Sequence, residues 1–209
     1  MNQTSKITNP RRQKQMEEFW DKDHKVMSEY YDFLERKIPK IKLLEAMKKL
    51  IEKDPDFYDS YLLAADIVAS EGKETVATEL LYTAYERALK RIVDKEGNFP
   101  KRIEWGWLEN RHLVRAIERW ALELWEQGKN EEALNLFRKL LKSNPNDNIG
   151  ARQAILAIRL GLGPDYEQQF ALKETPEYLD AFKLSSWFHE NCKKFPDEFE
   201  WWFKAVEEK

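Results

Sequence analysis

Turn residues in this chain sit almost only between segments of helical periodicity, and that placement limits the fold more than any other feature. The 209 residues include only 8 prolines and 7 glycines, too few to interrupt every segment. Proline ends helices because it lacks an N–H and clashes with the preceding turn; glycine is entropically costly inside them. Asp54-Pro55, Pro100, Asn144-Pro145, Gly163-Pro164, Thr175-Pro176 and Phe195-Pro196 each separate periodic segments. Gly72 and Gly128 each follow one amphipathic run and precede another, as glycines at helix C-termini do. Thr175-Pro176-Glu177 reads as an N-cap followed by proline at the first helical position.

Between these marks the apolar spacing is helical. Leu134, Phe137, Leu140 and Leu141 follow one face, as do Ile117, Trp120, Ala121, Leu124 and Trp125. Strand alternation and hairpin dipeptides between β-rich runs are absent. The expected fold class is all-α, with about ten helices over 15–36, 41–53, 57–71, 74–94, 108–127, 131–143, 147–161, 164–173, 176–194 and 197–208. The turn Asn144-Pro145-Asn146-Asp147-Asn148 ends one helix, and Asn146 or Asp147 caps the next. So short a turn makes its two helices antiparallel neighbours.

Composition narrows the function classes. Charged residues make up 35% and the net charge is −3, so no global attraction to nucleic acid or anionic lipid is expected. Hydrophobic residues at 42% give enough apolar area to offset chain entropy. Cys192 is the only cysteine, which excludes an internal disulfide and a cysteine-based zinc site and suits a reducing cytoplasm. Residues 1–14 carry Lys6, Arg11, Arg12 and Lys14 and read as a flexible basic tail with no apolar signal region. No stretch is apolar enough to span a membrane. A nucleic-acid-associated regulator using the basic tail is a minor alternative.

Counted back from Pro145, Ala121, Gly128, Ala133 and Phe137 stand at offsets of 24, 17, 12 and 8. The stretch Val114–Pro145 therefore resembles the tetratricopeptide repeat, a helix–turn–helix unit of roughly 34 residues. Small residues let two helices approach, glycine turns the chain and proline ends the unit. Ala65, Gly72, Ala77 and Ala84 align a second unit to the same scheme, with Leu89 where proline is expected, so its last helix runs on to about Asp94. The best repeat matches are 58–94 and 112–145, and the excess between them, around Asp94–Asn110, reads as an inserted loop or short helix. A narrower resemblance is to prokaryotic tetratricopeptide-like proteins. It rests on Leu108-Glu109-Asn110-Arg111, Arg115-Ala116, Leu124-Trp125 with Gly128, and Asn144 through Arg152. His112 stands where a proline is expected after Arg111, and this resemblance carries no activity with it. The resemblance implies a single domain over 15–209, stacked as a short α-solenoid, with C-terminal capping helices over 164–208.

It also implies a concave groove lined by the first helix of each unit. Arg111, Arg115 and Arg119 recur every four residues and form one stripe on a helix. Arg115 and Arg119 fall where carboxylate-clamp members carry basic residues. Leu62, Leu63 and Asp66 in the neighbouring helix lack the rest of that clamp. A different acidic peptide suits arginine forks, which bind carboxylates bidentately. The plain alternative is local pairing, with Glu123 four residues from Arg119 and Glu109 and Glu118 nearby. Arg152 and the loop residues Trp105 and Trp107 complete the candidate partner-binding set, whereas Trp120 and Trp125 read as core.

No phosphate loop, dinucleotide fingerprint or metalloprotease helix occurs. His189 and Cys192 could share a helix face but make no closed metal site, and His24 and His112 lie far off in sequence. Glu131-Glu132 and Glu207-Glu208 read as solvated faces. The expectation is a non-enzymatic protein- or peptide-binding scaffold with no cofactor, no metal and no catalytic residue. A small helical enzyme or enzyme subunit is the alternative. Phe199, Trp202, Phe203 and Val206 form one face of a last helix, expected to cap the array near Leu179, Phe182 and Trp187. The competing reading of that aromatic face is a homodimer contact.

Overall fold

The computed structural model describes residues 16–207. The basic tail expected at 1–14 lies outside the described residues. The fold is all-α. Nine α-helices occur among the described residues: α1 Val26–Glu35, α2 Lys40–Lys53, α3 Asp59–Ala69, α4 Glu74–Ile92, α5 Leu108–Glu126, α6 Asn130–Ser143, α7 Ala151–Arg159, α8 Ala181–Asn191 and α9 Pro196–Glu207. None is long and apolar enough to cross a membrane.

From α2 to α7 each helix packs on the next in the chain, and α3 also touches α5. The two repeat-like units turn in the same way. Gly72 and Gly128 adopt φ of +76° and +74°, a left-handed conformation that favours glycine. The Gly72 N–H donates to the Ala69 carbonyl and the Lys73 N–H to the Val68 carbonyl. The Gly128 and Lys129 N–H groups repeat this on Trp125 and Leu124. This paired closure satisfies carbonyls that a helix end leaves free. The same two bonds recur at Gly161 and Leu162, on Ile158 and Ala157. There, however, the chain continues into a 3-10 turn at Tyr166–Phe170, and no α-helix forms over 164–173.

The small residues of the repeat scheme lie at the helix contacts. Ala65, Ala77, Ala84, Ala121 and Ala133 are all buried, with Phe137 beside them in the core. Asp147 caps α7, as one of the two readings of that turn expected. Its carboxylate accepts from the N–H groups of Ala151 at 2.7 Å and Arg152 at 3.2 Å.

Three further expectations are corrected. The first helix begins at Val26 and not near residue 15. Before it lies a short strand, β1 (Glu18–Phe19), paired in parallel with β2 (Arg102–Ile103) in the inserted segment. Residues 18–24 bond outward to distant partners, so a local helical ladder does not form. The helix expected from 176 begins at Ala181. Pro176 belongs to a turn closed by Leu172 N–H on Tyr178 O, and Asp180 is the real cap, accepting from Lys183 N–H at 3.1 Å. Finally, α9 forms where expected but does not cover Phe182, which is 81% exposed. Phe199 and Trp202 pack edge-on to Phe188, and the Trp202 indole N–H donates to the Pro145 carbonyl at 2.8 Å. Glu198 adds ion pairs to Arg138 of α6 and Arg159 of α7.

Ala121 has no exposed surface, so Ala121→Trp should overpack a tight helix contact and cost about 1–3 kcal/mol. Urea unfolding measures this, and a wild-type midpoint would place Ala121 outside such a contact.

Candidate functional site

Two arginines of the α5 stripe, Arg115 and Arg119, find their partners on α3 rather than along their own helix. The Arg115 guanidinium forks onto the Asp59 carboxylate, with Nε donating to Oδ1 at 2.9 Å and Nη2 donating to Oδ2. Arg119 pairs with Asp66. Arg111 donates to the Trp105 carbonyl at 3.0 Å. The anticipated local pairing with Glu123 is replaced; Glu123 accepts from Thr78 and Gln127 instead. Trp105 lies half-buried under two guanidiniums, 5.3 Å from that of Arg111 and 5.7 Å from that of Arg115. It supports the arginines and presents little surface of its own.

These residues border a cleft of about 230 Å³ between α1, α3 and α5, lined by Tyr30, Asp59, Leu62, Leu63, Asp66, Arg115, Glu118 and Arg119. The two ion pairs differ in kind. Asp59 is buried. Burial is the largest single influence on Arg115 and lowers its pKa, but the hydrogen bonds and charge of Asp59, with a smaller part from Tyr31, together outweigh it, so the net shift is upward. Arg119 and Asp66 are both largely in water. Half-buried Glu118 has its pKa pushed up to about 7 by burial, which the charges of Arg119 and Arg115 only partly offset.

Arg152 does not belong to this cleft. Its Nη1 donates to Asp147 at 2.7 Å, and its guanidinium lies over the Phe188 and Trp202 rings at 5.4 and 5.0 Å. It fastens α7 to the C-terminal helices. Trp107 is 44% exposed and stacks on Trp20, itself 62% exposed, with ring centroids 4.7 Å apart. Trp125 is core, and half-buried Trp120 stacks on Tyr85. Cys192 is buried while His189 is exposed.

A second polar cluster escaped the sequence reading. Asp21, His24 and His112, separated by up to 91 residues, meet in the interior. The Asp21 carboxylate accepts from the Lys22 N–H and Arg91 Nε at one oxygen, at 2.8 and 2.7 Å. At the other it meets His24 Nε2 and His112 Nε2, each at 3.1 Å. His24 Nδ1 reaches Asp54 at 2.7 Å. Asn110 ties down the segment before α1 (residues 18–24, the N-terminal strap), its Oδ1 accepting from the Asp21 N–H and its Nδ2 donating to the Phe19 carbonyl.

The partners fix the protons. His112 Nδ1 accepts from the Tyr58 N–H at 3.1 Å, so it carries no hydrogen, and His112 is neutral with its proton on Nε2. Burial, as the larger influence, also holds the His112 pKa down. His24 faces a carboxylate at each nitrogen and donates to both. Burial lowers its pKa, but the bonds to Asp21 and Asp54 outweigh this and the net shift is upward. Two carboxylates, one imidazolium and Arg91 therefore balance.

Asp21, His24 and His112 have ligand atoms within 4.8 Å of one another, the one such grouping among the described residues. A metal needs a lone pair on each ligand nitrogen. His112 cannot offer Nε2 without moving its proton to Nδ1, where it would face the Tyr58 N–H. Arg91 also occupies Asp21. The set fits a hydrogen-bonded ion cluster, and the residues do not fit a metal.

The one hint in the sequence is His112, which departs from the narrower prokaryotic resemblance. Its partners could not be read, because the strap's path across α4 and α5 is a tertiary property. No family model matches the chain, and neither the curated proteins nor the solved structures contain a match to it.

Two outcomes follow. Arg115→Ala should destabilise the fold by about 1.5–3 kcal/mol, because it strips hydrogen bonds from a buried carboxylate. Arg119→Ala should cost under about 1 kcal/mol, as an exposed pair does; urea midpoints for both variants check the order. His24 has a folded pKa above its unfolded one, so its stabilisation is complete below about pH 6.5 and lost as pH rises through the folded value. The stability gap between wild type and His24→Gln should be widest near pH 6 and shrink in alkali, read by urea unfolding across pH. A gap that widens in alkali would contradict a charged His24.

Proposed function

We propose that the chain is a non-enzymatic protein- or peptide-binding helical module whose partner lies along the cleft between α1, α3 and α5. The observation that carries this reading is the composition of that cleft. Apolar Leu62, Leu63 and Tyr30 stand beside charged residues on helices that the repeat pattern places first in each unit. Tetratricopeptide-like arrays use that face for partners, so the repeat resemblance and the cleft support one surface. A scaffold or adaptor acting in the cytoplasm fits the reading, with the lone thiol buried.

The Asp21–His24–His112 cluster lends no support to the enzyme alternative. All three side chains are sealed from solvent, and each polar atom already has a structural partner. The cluster holds the α-helical frame on which the cleft depends. Trp20 and Trp107 form a second exposed aromatic surface, at the strap and the start of α5.

The test is site-specific photo-crosslinking in the native cell. A crosslinking residue at position 63 should give discrete adducts with a partner, and one at Thr83, exposed on α4, should not. Equal labelling from both positions, or labelling from 83 alone, would move the binding surface away from the cleft.

A further inference from the structure

The cleft is not evenly charged. Asp59, Asp66 and Glu118 place three carboxyls against the two guanidiniums of Arg115 and Arg119. Asp59 and Asp66 take up the arginines, which are thereby committed. Glu118 makes no hydrogen bond or ion pair with a described residue. The charged groups facing it from other elements are Asp147, before α7, and Glu167, in the 3-10 turn, and both are acidic. The Asp147 charge is met by Arg152, and Glu167 accepts from the Tyr166 hydroxyl at 2.9 Å. The cleft therefore ends on an unmatched carboxyl beside an apolar floor.

We propose that the cleft takes a basic segment of a partner protein, with one lysine or arginine side chain seated against the Glu118 carboxylate and an adjacent apolar side chain against Leu62, Leu63 and Tyr30. This rests on the cleft being the binding surface, and it names the partner's chemistry. Charge complementarity decides the sign. An acidic segment would have to displace Asp59 or Asp66 from an arginine already held, and would then meet Glu118. A cation replaces the water that half-burial denies to Glu118, and forms the charge-assisted hydrogen bond that no neighbour supplies.

The experiment is selection from a random dodecamer peptide display library against the full chain at pH 7.5. Selected peptides are then re-measured against Glu118→Gln and Leu63→Arg, with both variants first shown to melt cooperatively. The expected result is a recurrent lysine or arginine at fixed spacing from an apolar residue. Binding of those peptides should be about tenfold weaker to Glu118→Gln and absent in Leu63→Arg. Peptides enriched in Asp or Glu, or indifferent to Glu118→Gln, overturn the basic partner; if Leu63→Arg still abolishes them, the cleft itself stands. Peptides indifferent to Leu63→Arg, or no selected peptide at all, overturn both.

Discussion

The Asp21 carboxylate is the interaction on which the N-terminal half of the structure depends. A buried charge is costly unless it is paired and fully hydrogen-bonded. Asp21 meets that condition only because three other parts of the chain supply donors: Arg91 at the end of α4, His24 before α1 and His112 in α5. Each donor is itself oriented. Tyr58 N–H sets the proton on His112, and Asp54 at the end of α2 holds His24. Asn110 closes the arrangement by bonding the strap backbone on both sides of Trp20. The two-residue pairing of β1 with β2 is too short to hold the strap alone. Loss of the Asp21 carboxylate would leave two histidines and an arginine without their shared acceptor.

The same principle organises the cleft on the other side of α5. Arg115 is aligned by Asp59 and backed by Trp105, so one turn of α5 is locked to the first turn of α3. His112 and Arg115 are three residues apart, which places the buried cluster and the buried ion pair within one turn of a single helix. The helix that carries the cleft is therefore positioned by polar contacts on two sides as well as by Ala116, Ile117 and Ala121 in its core face. Asn110 and His112 hold the strap, and Arg115 and Arg119 line the cleft. Asn110, His112, Arg115 and Arg119 of α5 are framework, and Glu118, between the last two, is left for the cleft.

Much of this was legible in the residues. The glycine at each repeat turn, the alanines of the helix contacts and the Pro145 stop depend on local backbone sterics and side-chain volume, and they were read correctly. The candidate site was legible only as residue types. The spacing of Arg111, Arg115 and Arg119 puts them on one helix stripe, but it says nothing of what faces them. Local pairing with Glu123 and binding of an acidic peptide were the two readings, and neither contained the α3 partners, since sequence distance carries no information on interhelical contacts. Arg152 came from the Asn144–Arg152 resemblance and Trp105 from the Gly106 loop; the fold sets the first over Phe188 and Trp202 and the second under two guanidiniums, contacts that neither motif contains.

The errors cluster where local pattern and tertiary demand diverge. Residues 15–25 have no proline and few strong helix breakers, so periodicity extends α1 backwards; the interior takes that backbone instead to satisfy Asn110 and Asp21. Thr175-Pro176 has the local form of a helix start, yet Pro176 sits in a turn because Leu172 and Tyr178 bond across it. The sequence by itself determined that the chain is helical, where most helices begin and end, and which small residues let them touch, because these follow from short-range sterics and periodicity. The tertiary structure alone decided which charges are neutralised and which is left open. A partner 30, 56 or 91 residues away is chosen by the path of the chain and the water excluded along it.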